Sequence, residues 1–355
     1  MNVKHMVAMS AAALVWCALA AEDNTPGYVK VEWSLKAGEK WEVKGLADRE
    51  AGRPMATNTI FAICSNTKPV TSVLALTFVE EGKLNLDDPV SKYFPEFADI
   101  RFNSKYKGDK KEGNRPEHPI LLRHLITHLS GLCFSARTPA HKPDMVSRED
   151  MVKFAVKKGV SHEPGEMYSY NSLGFAVMGA VLEKIAGKKI DVLMQERVFD
   201  PLGMTDTTFY PSAEQMARAA VVYHYPKDGG TPTRIGFVSF SEPLGNRART
   251  PMLAGGLFST AVDYLKFEQM LALKGVGLSG KRILKEETFD KYLATRQTPP
   301  GDKVDSSFDI HFNKEHTGGR KGGLYGTSAS ADWAQKTCVV SFKAVAAKIP
   351  EEMSN

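Results

Sequence analysis

Strand-like patterns lie near both ends of this sequence. Apolar and polar residues alternate over residues 28–35 and again over 41–46, and residues 36–39 between them are typical of a turn, so this segment predicts a β-hairpin. Residues 324–331 and 338–346 near the other end are also β-rich. The simplest fold that satisfies both ends joins their strands in one antiparallel sheet.

The middle of the chain carries the apolar periodicity of helices. A helix is predicted from Ser65, at its N-cap, to residue 81, and Gly82 is a suitable residue to end it. Further helices are predicted over residues 120–132, 148–158, 172–185, 260–273 and 285–293. These patterns predict an α+β protein, in which an antiparallel sheet is flanked by helices and accompanied by an additional, mostly helical region.

The 355 residues show no internal repeat and can bury a large core. We assign residues 21–97 and 206–355 to the sheet region and residues 98–205 to the mostly helical region, and we expect the two to form one catalytic unit.

The first twenty residues resemble a signal peptide. Lys4 gives a positive start, residues 6–19 form an apolar run, and Ala18-Leu19-Ala20 supplies a small-residue cleavage site. The run is shorter than the roughly 20 residues that a membrane-spanning helix needs. We therefore expect a secreted or periplasmic protein with no stable membrane insertion after cleavage.

Charge and cysteine content exclude several other classes. The net charge of +5 is small for this length, and the basic cluster at residues 105–111 is interrupted by Asp and Gly, so we expect no nucleic-acid partner. Cys64, Cys133 and Cys338 remain after signal cleavage. Because three cysteines cannot form a complete disulfide framework, they are expected to be core thiols.

A zinc site is also not expected. His124 and His128 are four residues apart on a predicted helix, but Leu125 stands where the zincin motif has glutamate. His128 is expected instead to fix the turn before Gly131.

The strongest chemical signal is a serine and a lysine three residues apart. Ser65 and Lys68 would lie about one helical turn apart on the same face, so the amine could reach the hydroxyl. A serine nucleophile needs such a base, and burial can lower the pKa of a lysine enough to supply it. A second match, at Ser104 and Lys107, lies in a polar, lysine-rich loop and is attributed to chance.

The sequence around Ser65 resembles the serine β-lactamase-related family, which includes class C β-lactamases, penicillin-binding proteins and esterases. The similarity covers residues 61–95 and continues at residues 122–132, 164–165, 201–204 and 254–263, in the order of the family's landmarks. This resemblance implies a β-lactamase/transpeptidase-like fold, an acyl-enzyme on Ser65 and no cofactor.

The resemblance also implies a tyrosine that shares the proton of Ser65. Tyr170 is followed two positions later by Ser172 and lies five residues after Gly165, which fits the family's second motif better than Tyr168 does. A phenol becomes a useful base only if nearby positive charge, such as Lys68, lowers its pKa.

The family's third motif is a cation, a small or hydroxyl residue and a glycine, on a strand beside the serine. Two segments fit: His316-Thr317-Gly318 and Lys321-Gly322-Gly323. We prefer His316, because residues 320–323 resemble a turn into the next strand. The backbone N–H of Gly319 and that of Ser65 would then form the oxyanion hole.

Two departures from β-lactamases bear on the substrate, which is expected to be a small acyl compound: an ester, a β-lactam or a peptidoglycan-like peptide. His316 would stand in place of lysine and Ser172 in place of asparagine. A neutral imidazole holds a carboxylate less firmly than an ammonium, and serine lacks the amide that pairs with an acylamino group.

We therefore slightly favour a carboxylesterase over a β-lactamase or a D-alanyl-D-alanine carboxypeptidase. A non-catalytic cell-wall or ligand-binding protein on the same scaffold is the alternative of another class.

Overall fold

The computed structural model describes residues 24–103, 113–133, 144, 146–237 and 240–347. The first twenty residues, the second serine–lysine match at Ser104 and the basic cluster at residues 105–111 lie outside these ranges, so those predictions stay predictions.

Fourteen strands are found in the described residues. They are β1 (Tyr28–Ser34), β2 (Gly38–Lys44), β3 (Leu46–Asp48), β4 (Arg53–Pro54), β5 (Ile60–Ala62), β6 (Tyr223–His224), β7 (Thr233–Arg234), β8 (Phe258–Thr260), β9 (Ser306–Ser307), β10 (Ile310–Phe312), β11 (Gly318–Gly322), β12 (Ser328–Asp332), β13 (Thr337–Lys343) and β14 (Val345–Ala346).

Seven of these strands form one antiparallel sheet in the order β2-β1-β13-β12-β11-β10-β9. Tyr28 pairs with Lys343, so the first strand lies beside one of the last, and the predicted antiparallel sheet built from both ends is confirmed. Val29, Val31 and Trp33 alternate toward the core, as the period of two predicted.

The α-helices are α1 (Thr67–Glu80), α2 (Leu122–Ile126), α3 (Arg148–Lys158), α4 (Leu173–Ala186), α5 (Ile190–Met194), α6 (Asp200–Leu202), α7 (Ala213–Ala217), α8 (Ala261–Ala272) and α9 (Glu286–Thr288). Short 3₁₀ helices cover Cys64–Asn66, Val90–Lys92 and Pro95–Asp99, and π-helical turns cover Gln195–Phe199 and Phe289–Leu293.

Helix α1 is buried on all sides from Thr67 to Phe78, so it is a core helix and not a surface helix with one apolar face. Helix α8 packs against β13 and β12, and α3 packs against α4. The predicted helix at residues 120–132 is shorter than expected, because His128 and Gly131 have φ angles of +64° and +67° that end it.

Strand β11 differs most from the sequence prediction. Residues 320–323 were expected to be a turn, but residues 318–322 form a strand although their sequence, Gly-Gly-Arg-Lys-Gly, has little strand propensity. Close packing explains the glycines: a Cβ at Gly318 would lie 2.4 Å from the carbonyl oxygen of Ala331 on β12, and one at Gly319 would lie 2.4 Å from the Ile310 side chain. Residues 323–327 form the actual turn between β11 and β12.

Cys64, Cys133 and Cys338 are free and buried, as expected. Within the described ranges, the helices are all too short or too polar to cross a bilayer.

We predict that Gly318→Ala destabilises the protein by about 1–3 kcal/mol, because the new methyl group overlaps backbone that cannot move aside. The matched control is Gly322→Ala on the same strand, where the nearest atom to a Cβ is 3.6 Å away. Urea unfolding followed by circular dichroism measures both; equal stability of the two variants would contradict the packing explanation.

Candidate active site

Ser65 lies in the 3₁₀ turn Cys64–Asn66, immediately before α1. Asn66, and not Ser65, is the N-cap of α1, and its side chain makes no capping bond. Cys64 has a φ of +47°, a left-handed conformation that is uncommon for a non-glycine residue. Ser65 is partly exposed, so its hydroxyl is accessible from outside.

Lys68 lies one turn further on, as the spacing predicted, and only 1% of it is exposed. Its Nζ is 3.2 Å from Ser65 Oγ and donates a hydrogen bond of 2.6 Å to the carbonyl oxygen of Ala254. Burial lowers the pKa of Lys68 to about 7, although Asp309 opposes the shift. A large fraction of Lys68 is therefore neutral near pH 7 and can accept a proton.

The carbonyl of Ala254 belongs to a loop that leads into one of two short paired strands. β5 ends just before Cys64 and pairs with β8, which follows the Ala254 loop. Thr260 then caps α8 by accepting a hydrogen bond from the N–H of Asp263. The family resemblance at residues 254–263 thus corresponds to the segment that fixes the lysine.

Tyr170 completes the contact with the serine. Its hydroxyl is 2.8 Å from Ser65 Oγ, and Lys68 Nζ lies 4.7 Å from its ring centroid. Tyr168, the alternative, instead packs edge-on against His128. Partial burial and the charge of Asp309 raise the pKa of Tyr170, so the expected lowering by Lys68 is not found and the phenol carries its proton near neutral pH.

The residues after Tyr170 hold it in place. The Asn171 side chain donates to the carbonyl of Leu132 and accepts from the N–H groups of Leu173 and Gly174 at the start of α4. Its amide is therefore used within the protein. Ser172 is the partly buried N-cap of α4, and its side chain makes no capping bond.

The structure brings Lys321, and not His316, to the site. Lys321 Nζ lies 4.8 Å from the Tyr170 ring centroid, and the end of β11 contacts the Ser65 turn: a Cβ at Gly323 would be 2.4 Å from the carbonyl oxygen of Ile63. The preference for His316 as the cation beside the serine is corrected, because residues 320–322, which were expected in a turn, belong to strand β11.

His316 lies in the turn before β11, where its Nε2 is 2.7 Å from Asp305 and its ring stacks on Phe312. Thr317 lies in the same turn, and its hydroxyl donates a hydrogen bond to the carboxylate of Asp332 at the end of β12. Gly318 and Gly319 are paired inside the sheet with β12, so Gly319 is not placed to form an oxyanion hole with Ser65.

Backbone N–H groups of the β11–β12 turn do lie next to the serine segment. The backbone amides of Tyr325 and Leu324 lie close enough to the Cys64 thiol to lower its pKa, but burial has the larger effect and raises this pKa to about 12. The N–H of Leu324 therefore lies beside Cys64, the residue that precedes Ser65, and is a candidate for the role that was expected of the Gly319 N–H.

A buried ionic cluster underneath the site was not predicted from sequence. Asp309 is fully buried, and its Oδ1 lies 2.6 Å from Lys321 Nζ and 3.0 Å from His128 Nε2. Nδ1 of His128 accepts a hydrogen bond from the N–H of Asn171, so the proton of this imidazole is on Nε2 and points to Asp309. The His128 ring packs against the Tyr170 ring with centroids 4.6 Å apart and a tilt of 32° between the ring planes.

His128 lies at the turn before Gly131, as expected, and its ring in addition contacts Tyr170 and Asp309. His124, the other member of the pair, accepts from the N–H of Leu121 through Nδ1. Among the described residues, no group of three or more His, Cys, Asp or Glu side chains is placed to hold a metal ion.

Together, an antiparallel sheet, a core helix starting at a serine and a lysine–tyrosine pair around that serine define the β-lactamase and penicillin-binding class. The family model "Beta-lactamase" matches residues 21–344. The chain belongs to this family, and the predicted β-lactamase/transpeptidase-like fold is confirmed.

Similar proteins carry several names. The lovastatin esterase of Penicillium rubens is 29% identical over 68% of this chain and 62% of its own length. The D-alanyl-D-alanine-carboxypeptidase/endopeptidase AmpH of Escherichia coli K12 is 30% identical over 60% of this chain and 49% of its own. Protein Rv1367c of Mycobacterium tuberculosis is 32% identical over 74% of this chain and 66% of its own length. The chain thus spans about two thirds or less of the length of these three curated relatives.

A solved structure of the same fold is that of EstCE1, described as a hydrolase with promiscuous acyltransferase activity. It has a TM-score of 0.72 and is 22% identical, over 98% of this chain and 97% of that one. At this identity the likeness establishes the fold.

We predict that Lys68 titrates with a midpoint near pH 7, because its burial disfavours the charged form. Carbon-13 NMR of lysine Cε resonances, with Lys68→Met to assign the signal, measures this directly. Surface lysines, which titrate near about pH 10.4, are the internal control. A Lys68 signal that titrates with the surface set would show that burial does not control this amine.

Proposed function

We propose that this protein is an exported serine hydrolase that cleaves esters through an acyl-enzyme on Ser65. The observation that carries the proposal is the contact of Ser65 Oγ with both Lys68 Nζ, at 3.2 Å, and the Tyr170 hydroxyl, at 2.8 Å. A nucleophile and its base within hydrogen-bond reach are the signature of covalent catalysis. This geometry also argues against a non-catalytic binding protein, because such a protein needs no buried amine beside a serine.

In the proposed mechanism, neutral Lys68 is the base. Ser65 Oγ attacks the carbonyl carbon, and its proton passes to Lys68, directly or through the Tyr170 hydroxyl. The protonated Tyr170 then donates to the leaving alkoxide and is reprotonated from Lys68, which leaves the acyl group on Ser65. Water attacks the acyl-enzyme and gives a proton to Lys68 by the same route. This proton then passes to Ser65 Oγ as its bond to the acyl carbon breaks, which releases the acid and restores neutral Lys68.

The oxyanion of the tetrahedral intermediate needs two fixed donors. The backbone N–H of Ser65 is one, and we assign the other to Leu324, whose amide lies beside Cys64. The turn of residues 323–327 holds this amide: the N–H of Gly323 donates to Thr327, and Thr327 Oγ1 donates to the carbonyl of Ile63.

Two features of the site favour esters over acylamino substrates. The Asn171 amide is engaged with Leu132 and α4, and Ser172 offers no amide in its place. The charge of Lys321 is balanced by Asp309, which weakens its attraction for a substrate carboxylate. The similarity to a lovastatin esterase supports the same choice.

A D-alanyl-D-alanine carboxypeptidase or a β-lactamase is the second candidate, which the similarity to AmpH favours. We include export in the proposal because residues 1–20 combine a positive charge, an apolar run and small residues, as a signal peptide does.

We predict that Ser65→Ala lowers kcat/KM for 4-nitrophenyl acetate by about 10³-fold or more, because no other group replaces the nucleophile. His316→Ala is the control, because His316 was expected in the site but lies in the turn before β11. Its exposed contact with Asp305 contributes little to stability, and we expect activity within about twofold of wild type. Full activity of Ser65→Ala would refute the proposal.

A fluorescent penicillin distinguishes the two candidates. If the protein is an esterase, we expect the penicillin to label neither wild type nor Ser65→Ala, while the wild type still cleaves the aryl ester. Labelling that requires Ser65 would instead favour the second candidate: rapid loss of the label would indicate a β-lactamase, and slow loss a penicillin-binding peptidase.

A further inference from the structure

The carboxylate of Asp309 is held immovably beneath the active site. Asp309 and Phe308 form the two-residue loop between β9 and β10, where Ile310 pairs with Ser307, and both loop residues have positive φ angles of +66° and +47°. Phe308 is completely buried, and its carbonyl accepts a hydrogen bond from Ser72 of α1. With its neighbour packed into the core, Asp309 cannot turn its carboxylate toward solvent.

This carboxylate neutralises the cation beside the serine. Lys321 Nζ donates to Asp309 Oδ1 at 2.6 Å and lies 4.8 Å from the centroid of the Tyr170 ring, whose hydroxyl contacts Ser65. A free ammonium at this distance would attract a negatively charged substrate. Here its charge is balanced from the side away from solvent, because Asp309 is completely buried and only 7% of Lys321 is exposed.

We propose that Asp309 is a specificity-determining residue: by pairing with Lys321 it makes the site select acyl substrates that carry no carboxylate near the scissile bond. The inference rests on the proposed ester hydrolysis and narrows its substrate class to uncharged esters. Asp309 does not touch the substrate; it acts through Lys321.

The net charge of the pair is then the controlling quantity, and it can be changed in both directions. Asp309→Asn keeps the side chain's shape and an oxygen for Lys321 and His128 while removing the negative charge. Lys321→Met removes the positive charge with a chain of similar length and leaves Asp309 paired with His128 alone. The double variant has the neutral total of the wild type.

Two pairs of substrates, each identical except for charge, provide the measurement. One pair is the acetate ester of 4-hydroxyphenylacetic acid and that of its amide, with the charge on the leaving group. The other is the 4-nitrophenyl monoester of adipic acid and that of its monoamide, with the charge on the acyl group. The ratio of kcat/KM for acid over amide is compared among variants, so that any general loss of rate cancels.

In both pairs we expect the wild type to cleave the uncharged ester, which carries the carboxamide group, with a higher kcat/KM than the charged ester. In at least one pair the ratio should rise about tenfold in Asp309→Asn, fall about tenfold in Lys321→Met, and return to near the wild-type value in the double variant. The fall in Lys321→Met tests the proposal independently if Asp309→Asn does not fold, and thermal unfolding monitors both.

Ratios that are the same in all folded variants for both pairs would show that the ion pair is only structural and would overturn the proposal. If the wild type instead cleaves neither of the two uncharged esters through Ser65, the proposed ester hydrolysis itself is overturned. The two failures are therefore distinguishable.

Discussion

Removal of the Lys68 amine from water is the physical condition on which the site depends. An ammonium in water holds its proton at pH 7, but Lys68 is enclosed at the start of a core helix and under the Tyr170 ring. Burial alone would only make the amine neutral. The carbonyl of Ala254 accepts a hydrogen bond from Lys68 Nζ and thereby orients the nitrogen, so that the lone pair of the neutral amine is available to Ser65.

Several parts of this arrangement could be read from the sequence, because they depend on local geometry. The spacing of Ser65 and Lys68 follows from helical periodicity, and alternation predicted β1 and the pairing of both chain ends. The third motif could not be read this way. Strand β11 is glycine-rich because β12 and Ile310 approach it closely, and such tertiary packing overrides the propensity that made residues 320–323 resemble a turn.

Charges in the interior were the other part that the sequence does not reveal. Nothing in a Phe308-Asp309 dipeptide marks a two-residue hairpin loop, since neither residue is the glycine or asparagine that positive φ angles favour. Burial, together with the charge of the same carboxylate, also explains why the expectation for Tyr170 was wrong: both raise the pKa of the phenol, so it keeps its proton. The tyrosine is thus better suited to relay a proton than to remove one.

The pairing of β1 with β13 also constrains the order of assembly. β1 can pair with β13 only after Lys343, the partner of Tyr28, has been synthesised. Pairing between residues so far apart in the sequence is slow. Ser65, Lys68 and Tyr170 emerge from the ribosome well before Lys321, whose strand is enclosed by β10 and β12. A nascent chain that stops short of β11 would therefore hold a serine and a lysine without the second cation or the turn that supplies the Leu324 amide, so the site stays incomplete until β11 and this turn have been made.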